Sequence, residues 1–198
     1  MNPADIRRHF EETGALLSGH FKLSSGLHSD RYLQCAKVLM WPDRAEDLGC
    51  ALGAQLRRFS AATVVSPALG GVIIGQEVGR ALGVRALFTE RVEGIFALRR
   101  GFALEPGEKV AVVEDVVTTG KSTREVLAVV KAAGAVPVAC GSIIDRRAAS
   151  EKGDSVDGIP YRALLALDIP AWDPSGCPLC AKGIPVTAPG SRHLVAKS

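Results

Sequence analysis

The chain has 198 residues, enough for one domain to bury a core without a disulfide or metal staple. Its 24 basic and 21 acidic residues leave a net charge of +3 that is mixed along the chain, which argues against a nucleic-acid-binding surface. Aromatics are 5% and hydrophobic residues 47%, carried by Ala, Val and Leu, the composition of short β-branched strands lying between Ala-rich helices.

Asn2-Pro3 followed by charged residues and Phe10 predicts a capped helix to about Glu12. The charges from Asp5 to Arg8 stand where a secretory signal would be apolar, and no later run is long enough to span a bilayer. A cytoplasmic protein without a membrane partner is expected. Phe21 to Leu33 alternates on either side of a Ser/Gly turn and predicts a hairpin. Leu48, Ala51, Leu52, Leu56 and Phe59 recur at helical spacing, so Pro42 to Phe59 is an amphipathic helix. Strands follow at Thr63 to Val65, Val84 to Phe88, Val110 to Val113, Val136 to Ile144 and Tyr161 to Leu167. Between them, Gly70-Gly71 opens a helix to Leu82, and Ser122 to Ala133 forms another. The charged stretch from Thr89 to Phe102, with Gly94 and Gly101, is expected to be a mobile β-ribbon or lid. From Asp168 onward, five prolines forbid long regular elements. Strands alternating with helices predict an α/β fold with a mainly parallel sheet, its ligands bound at the carboxyl ends of the strands.

The sharpest signal is Val110-Ala111-Val112-Val113-Glu114-Asp115-Val116-Val117-Thr118-Thr119-Gly120-Lys121-Ser122-Thr123. An apolar strand delivers two carboxylates to its end, and a Thr-Thr-Gly turn opens directly into a helix. Successive N–H groups, the helix N-terminus and the hydroxyls would cradle a phosphate, leaving Glu114 and Asp115 to meet the hydroxyls of its ribose. A Walker A loop shares the ending Gly120-Lys121-Ser122 but needs a glycine where Asp115 stands, which excludes an NTPase. Gly70-Gly71-Val72-Ile73-Ile74-Gly75 lacks the second glycine of a dinucleotide fingerprint.

The order strand, acidic pair, Thr-Thr-Gly, helix resembles the 5-phosphoribosyl 1-diphosphate (PRPP) signature of the type I phosphoribosyltransferases. Within that class the chain most resembles the orotate phosphoribosyltransferases. Phe21, Leu23, Ser25, Gly26, Ser29 and Tyr32 match a pattern of the family's N-terminal hood. The resemblance implies one domain over residues 1–198: a mainly parallel twisted sheet flanked by helices (about 43–168), a small hood from about 1–40 plus the C-terminal tail, and a mobile lid. It implies that Glu114, Asp115, Val116, Val117, Thr118, Thr119, Gly120, Lys121 and Ser122 bind PRPP, with Gly70 and Gly71 in the diphosphate loop Ser66 to Gly71. Thr118, Arg146, Ser25 and Gly26 would bind orotate, Arg146 by pairing its guanidinium fork with the carboxylate. Asp115, Glu114 and Arg91 would be catalytic, Arg91 acting on the departing diphosphate. Mg²⁺ would enter mainly through the diphosphate and ribose hydroxyls of PRPP, so no protein metal ligands are expected. The working unit would be a homodimer, with Arg99 or Arg100 as candidates to cross its interface.

Several positions depart from the family pattern. The diphosphate loop has no lysine, the lid has Arg91, Arg99 and Arg100 but no histidine, Glu90 stands where a second base is common, and Ser24 replaces a lysine. Arg147 can be a plain ion-pair partner for Asp145 or another carboxylate. Cys177-Pro178-Leu179-Cys180 offers half of a zinc site, yet no second Cys pair follows and His193 is the only nearby extra candidate. A structural turn with two thiols is therefore expected, with a labile disulfide or a zinc shared across a dimer as alternatives. The rival functions are a type I transferase for a purine base and a PRPP-sensing regulator that does not react. A purely structural role fits poorly with two acids beside a phosphate loop.

Overall fold

A computed structural model of the chain describes residues 1–23, 25–148, 150 and 153–189. Helix α1 (Pro3–Glu12) starts where expected, its first turn closed by the Asn2 side chain accepting from the Asp5 amide at 2.9 Å. The hairpin β1 (Leu16–Lys22) and β2 (His28–Leu33) is longer than predicted because its first strand begins at Leu16. A short helix α2 (Ala36–Leu39), which the sequence reading omitted, leads into α3 (Pro42–Leu56).

The core alternates β3 (Thr63–Pro67), α4 (Gly70–Leu82), β4 (Arg85–Val92), β5 (Ile95–Leu98), β6 (Lys109–Val117), α5 (Lys121–Ala132), β7 (Val136–Asp145), β8 (Ser155–Val156) and β9 (Ile159–Ala166). Among the described residues the main sheet has seven strands in the order β5-β4-β3-β6-β7-β9-β8, parallel except at the two edges. The expected ribbon is real: β4 continues beyond Phe88 and turns back antiparallel as β5, pairing Arg91 with Phe96 and Thr89 with Leu98.

Strand β3 pairs with β4 on one side and β6 on the other, so the chain leaves the centre of the sheet in opposite directions after β3 and after β6. That divergence opens a crevice at the strand ends. Side chains alternate across β6. Val113 packs with α1, α3 and α4 through Ile6, Phe10, Leu48, Leu52 and Ile74, whereas Val110 and Val112 pack with α5 through Val126, Leu127 and Val130. Helices α3 and α4 approach closely because α3 carries Gly49 and Gly53; a Cβ at Gly49 would lie 2.4 Å from that of Glu77. No helix among the described residues is long and apolar enough to cross a membrane.

Candidate active site at the strand ends

Two loops meet at the crevice. The first follows β3, contains the cis peptide Ala68–Leu69, and runs into α4 at Gly70. The second follows β6 and enters α5 through Gly120, whose φ of +70° is the left-handed conformation that glycine adopts without strain. They converge on Asp115: a Cβ at Gly70 would sit 2.8 Å from its Oδ1. Any side chain at position 70 would therefore collide with that carboxylate.

Adjacent strand residues point to opposite faces, and the two acids obey this. Asp115 faces α4 beside Gly70, and the Cys35 thiol of the hood acts to lower its carboxyl. Glu114 faces α5 and accepts from the Thr123 hydroxyl at 2.6 Å. Burial raises the Glu114 carboxyl to about 7, with the Thr123 hydrogen bond opposing the rise. Asp115 is also raised by burial, against the lowering effect of the Val116 amide, its own amide and the Cys35 thiol. Cys35 was not among the site residues expected from the sequence, where it sits in an apolar segment. Nothing local in the chain links it to position 115, since only the fold of the hood over the sheet brings them together.

The phosphate-type loop is braced from within. Lys121 N donates to Thr119 Oγ1 at 3.4 Å, and the Arg124 guanidinium donates to the Thr119 carbonyl at 2.6 Å. Arg124 is a further cation at this loop that the sequence reading did not single out, although its position one turn into α5 was available. Lys121 itself is exposed, 3.9 Å from Glu125.

Arg146 and Arg147, adjacent in sequence, have different roles. The Arg147 guanidinium is buried against Asp145 at 2.9 Å, donates to the Ser155 and Gly153 carbonyls, and lies 4.3 Å from the centre of the Tyr161 ring. It is the structural ion pair. Arg146 donates its backbone N–H to the Val117 carbonyl at 2.8 Å, which fixes it beside the end of β6. Its side-chain Nε is buried without a hydrogen-bond partner, and burial lowers the guanidinium's proton affinity. A half-buried guanidinium with one buried, unmet donor is chemically suited to an anion.

Arg91 does not point to this convergence. It pairs with Glu125 of α5 at 2.6 Å, donates to the Gly94 carbonyl and lies over the Phe96 ring at 4.0 Å. Arg100 pairs with Glu90 at 2.8 Å, so these two residues neutralise each other within the ribbon. Ser25 and Gly26 close the hairpin, where Gly26 N donates to the Leu23 carbonyl at 2.9 Å. Gly71 packs against Pro67 and the Val113 carbonyl, giving α4 its close start. His193 lies outside the described residues; Cys177 and Cys180 lie instead against His20 and His28. The clefts along α4 and β4, lined by Ile73 and Phe88, and behind α5, lined by Ile95 and Val129, do not coincide with the acids or Arg146.

No family model matches the chain. Among curated proteins it is similar to the orotate phosphoribosyltransferase of Thermotoga maritima, with 52% identity over 190 residues, covering 96% of this chain and 99% of the relative. It is 47% identical over 194 residues to that of Desulforamulus reducens, covering 98% of this chain and 100% of the relative. The solved orotate phosphoribosyltransferase of Mycobacterium tuberculosis H37Rv shares the fold, with a TM-score of 0.68 at 22% identity over 82% of this chain and 97% of that one.

Proposed function

The chain belongs to the orotate phosphoribosyltransferase family, and on that premise we propose that its strand-end crevice transfers the 5-phosphoribosyl group of PRPP to orotate. The products are orotidine 5′-monophosphate and diphosphate, and the setting is pyrimidine synthesis. The observation that carries the reading is the pairing, at adjacent strand ends, of Asp115 beside the Gly70 loop with a half-buried Arg146 whose buried Nε is unmet.

In this reading the amides of Thr118 to Ser122 hold the 5-phosphate at the start of α5, where N–H groups and the helix dipole favour an anion. Asp115 accepts from the ribose hydroxyls, and Glu114, across β6, supplies the second carboxylate behind the loop. As the C1–O bond breaks, positive charge grows on the ribose ring, and these carboxylates stabilise it. Orotate N1 forms the new bond to C1 and loses its proton to solvent, while Arg146 holds the orotate carboxylate. The electron pair of the broken bond leaves with diphosphate. Gly70 and Gly71 offer backbone N–H groups to that leaving group, and Arg91 can join them only when its pair with Glu125 opens.

Mg²⁺ fits this oxygen-rich setting and would be held mainly by the diphosphate and ribose hydroxyls of PRPP, with Asp115 and Glu114 acting on the hydroxyls of the same ribose rather than as metal ligands. When bound it supplies charge neutralisation for the diphosphate. A cytoplasmic homodimer is part of the same reading, and light scattering of the purified protein checks the assembly. Incubation with PRPP, Mg²⁺ and orotate is expected to yield orotidine 5′-monophosphate and diphosphate in equal amounts. Turnover of adenine or xanthine in place of orotate, or PRPP binding with no product, would overturn it.

A further inference from the structure

We propose that His20, His28, Cys177 and Cys180 form a structural Zn²⁺ site that clamps the C-terminal segment onto the β1–β2 hairpin. One ligand atom from each of these residues lies within 4.8 Å of all the others. His20 is on β1 and His28 begins β2, while Cys177 immediately precedes the short helix α6 (Pro178–Ala181) and Cys180 lies within it. His20 and Cys177 are 157 residues apart in sequence. A Cys-x-x-Cys pair facing two histidines is the donor set of a closed, four-coordinate zinc centre.

The distances suit that geometry. Zn–S bonds of about 2.3 Å and Zn–N bonds of about 2.0–2.1 Å put the sulfur and nitrogen corners of a tetrahedron roughly 3.5 Å apart. Here Cys177 Sγ lies 3.5 Å from His20 Nε2, Cys180 Sγ 3.8 Å from the same nitrogen, and Cys180 Sγ 3.3 Å from His28 Nδ1. The two nitrogens are 2.9 Å apart and must open by a few tenths of an ångström. His20 is already set as a ligand: its Nδ1–H donates to the Ile184 carbonyl at 2.7 Å, which leaves the Nε2 lone pair facing the cluster. Its acceptor is itself part of the C-terminal segment. His20, His28 and Cys177 are buried and Cys180 is exposed, so an ion can enter at one corner and is enclosed on the others.

The location explains the need. An isolated two-stranded hairpin is marginal in water, and the proline-rich segment after Asp168 has little regular structure of its own. The two are laced by backbone bonds between His28 and Trp172, from the Lys22 amide to the Thr187 carbonyl and from the Thr187 amide to the His20 carbonyl, with Ser29 Oγ donating to the Pro170 carbonyl at 2.8 Å. A metal at the centre of this lacing fastens both partners.

The site is tested on the intact chain with metal alone. Protein purified under reducing conditions is expected to take up about one Zn²⁺ per chain by mass spectrometry of the metal, in competition with a chromophoric chelator. The Co²⁺ form should show the intense visible bands of a tetrahedral ion and thiolate-to-metal charge transfer. Cys177→Ser with Cys180→Ser should abolish both signals, and stripping zinc from the parent protein should lower its melting temperature by roughly 5–10 °C. No stoichiometric Zn²⁺ uptake, a Co²⁺ spectrum without thiolate bands, or a Cys177–Cys180 disulfide in the reduced preparation would overturn the assignment. The Co²⁺ spectrum decides even where the double variant fails to fold. None of these readouts depends on orotate turnover.

Discussion

Burial raises the Glu114 carboxyl from 4.5 to about 7, and a shift of that size corresponds to about 3 kcal/mol. The folded value lies above the unfolded one, so the protein escapes this cost below pH about 4.5 and loses stability as pH rises through about 7. Glu114→Gln keeps an acceptor for the Thr123 hydroxyl but carries no charge. In urea unfolding without ligand, the variant should exceed the parent by up to about 3 kcal/mol at mildly alkaline pH, the gain vanishing in acid. An equal difference at both ends of the range would refute the burial argument. The two arginines after β7 make a second contrast. Arg146→Ala should raise the orotate KM about ten- to a hundredfold with PRPP binding and melting temperature retained, since it removes a charge-assisted contact. Arg147→Ala should instead cost about 3–5 kcal/mol of stability, because it strands the buried Asp145 carboxylate. Steady-state kinetics and thermal melts separate the two; an orotate KM that moves with Arg147 alone would reverse the assignment. The sequence offered Arg147 as an ion-pair partner for Asp145, and the fold makes that pair but buries it, which the sequence did not indicate. That burial depends on Tyr161 and on carbonyls at 153 and 155, supplied by a later β-hairpin.

The ribbon β4–β5 is held to α5 by the pair Arg91–Glu125, whose side chains are 41% and 31% exposed. Such a pair contributes at most about 1 kcal/mol, strong enough to bias the ribbon and weak enough to release it. Glu125→Ala is expected to speed amide exchange over residues 92–98 by up to about fivefold while β6 keeps its protection. Unchanged exchange in the ribbon would remove the latch. Elements whose pattern is complete within one segment were legible beforehand: the apolar spacing of α3 and α5, the unbroken run of β6, the Asn2 cap. Others depend on partners distant in sequence. Gly19 interrupts the apolar alternation within β1, which becomes a strand through pairing from Leu16↔Leu33 onward. Strand β4 extends past Phe88 into a charged stretch because β5 folds back onto it. The acid pair shows the same limit. Its position at a strand end followed from the motif, whereas its division between two faces, one toward Gly70 and one toward Thr123, required the strand's alternation to be applied residue by residue.

One apolar cluster joins the hood to the sheet: Ile6, Phe10, Ala15, Cys35, Val38 and Leu39 pack with Leu48, Val64, Ile143 and Leu164. Residues from the first forty therefore lose their apolar burial when the core opens, and the core loses part of its cover when the hood detaches. A shared cluster of this kind makes unfolding cooperative even where the sequence divides into hood, core and tail. The two tryptophans offer a test, because Trp41 precedes α3 and Trp172 bonds to His28, so both report on the hood and tail rather than on the sheet. At fixed protein and zinc concentration, the urea transition followed by tryptophan fluorescence is expected to coincide with that followed by far-ultraviolet dichroism. Phe10→Ala should move both curves together, by about 3–5 kcal/mol, since it empties a fully buried site in the joint cluster. A fluorescence change that precedes the loss of helix would mean that the hood and tail open as a separate unit, with Phe10 stabilising that unit alone.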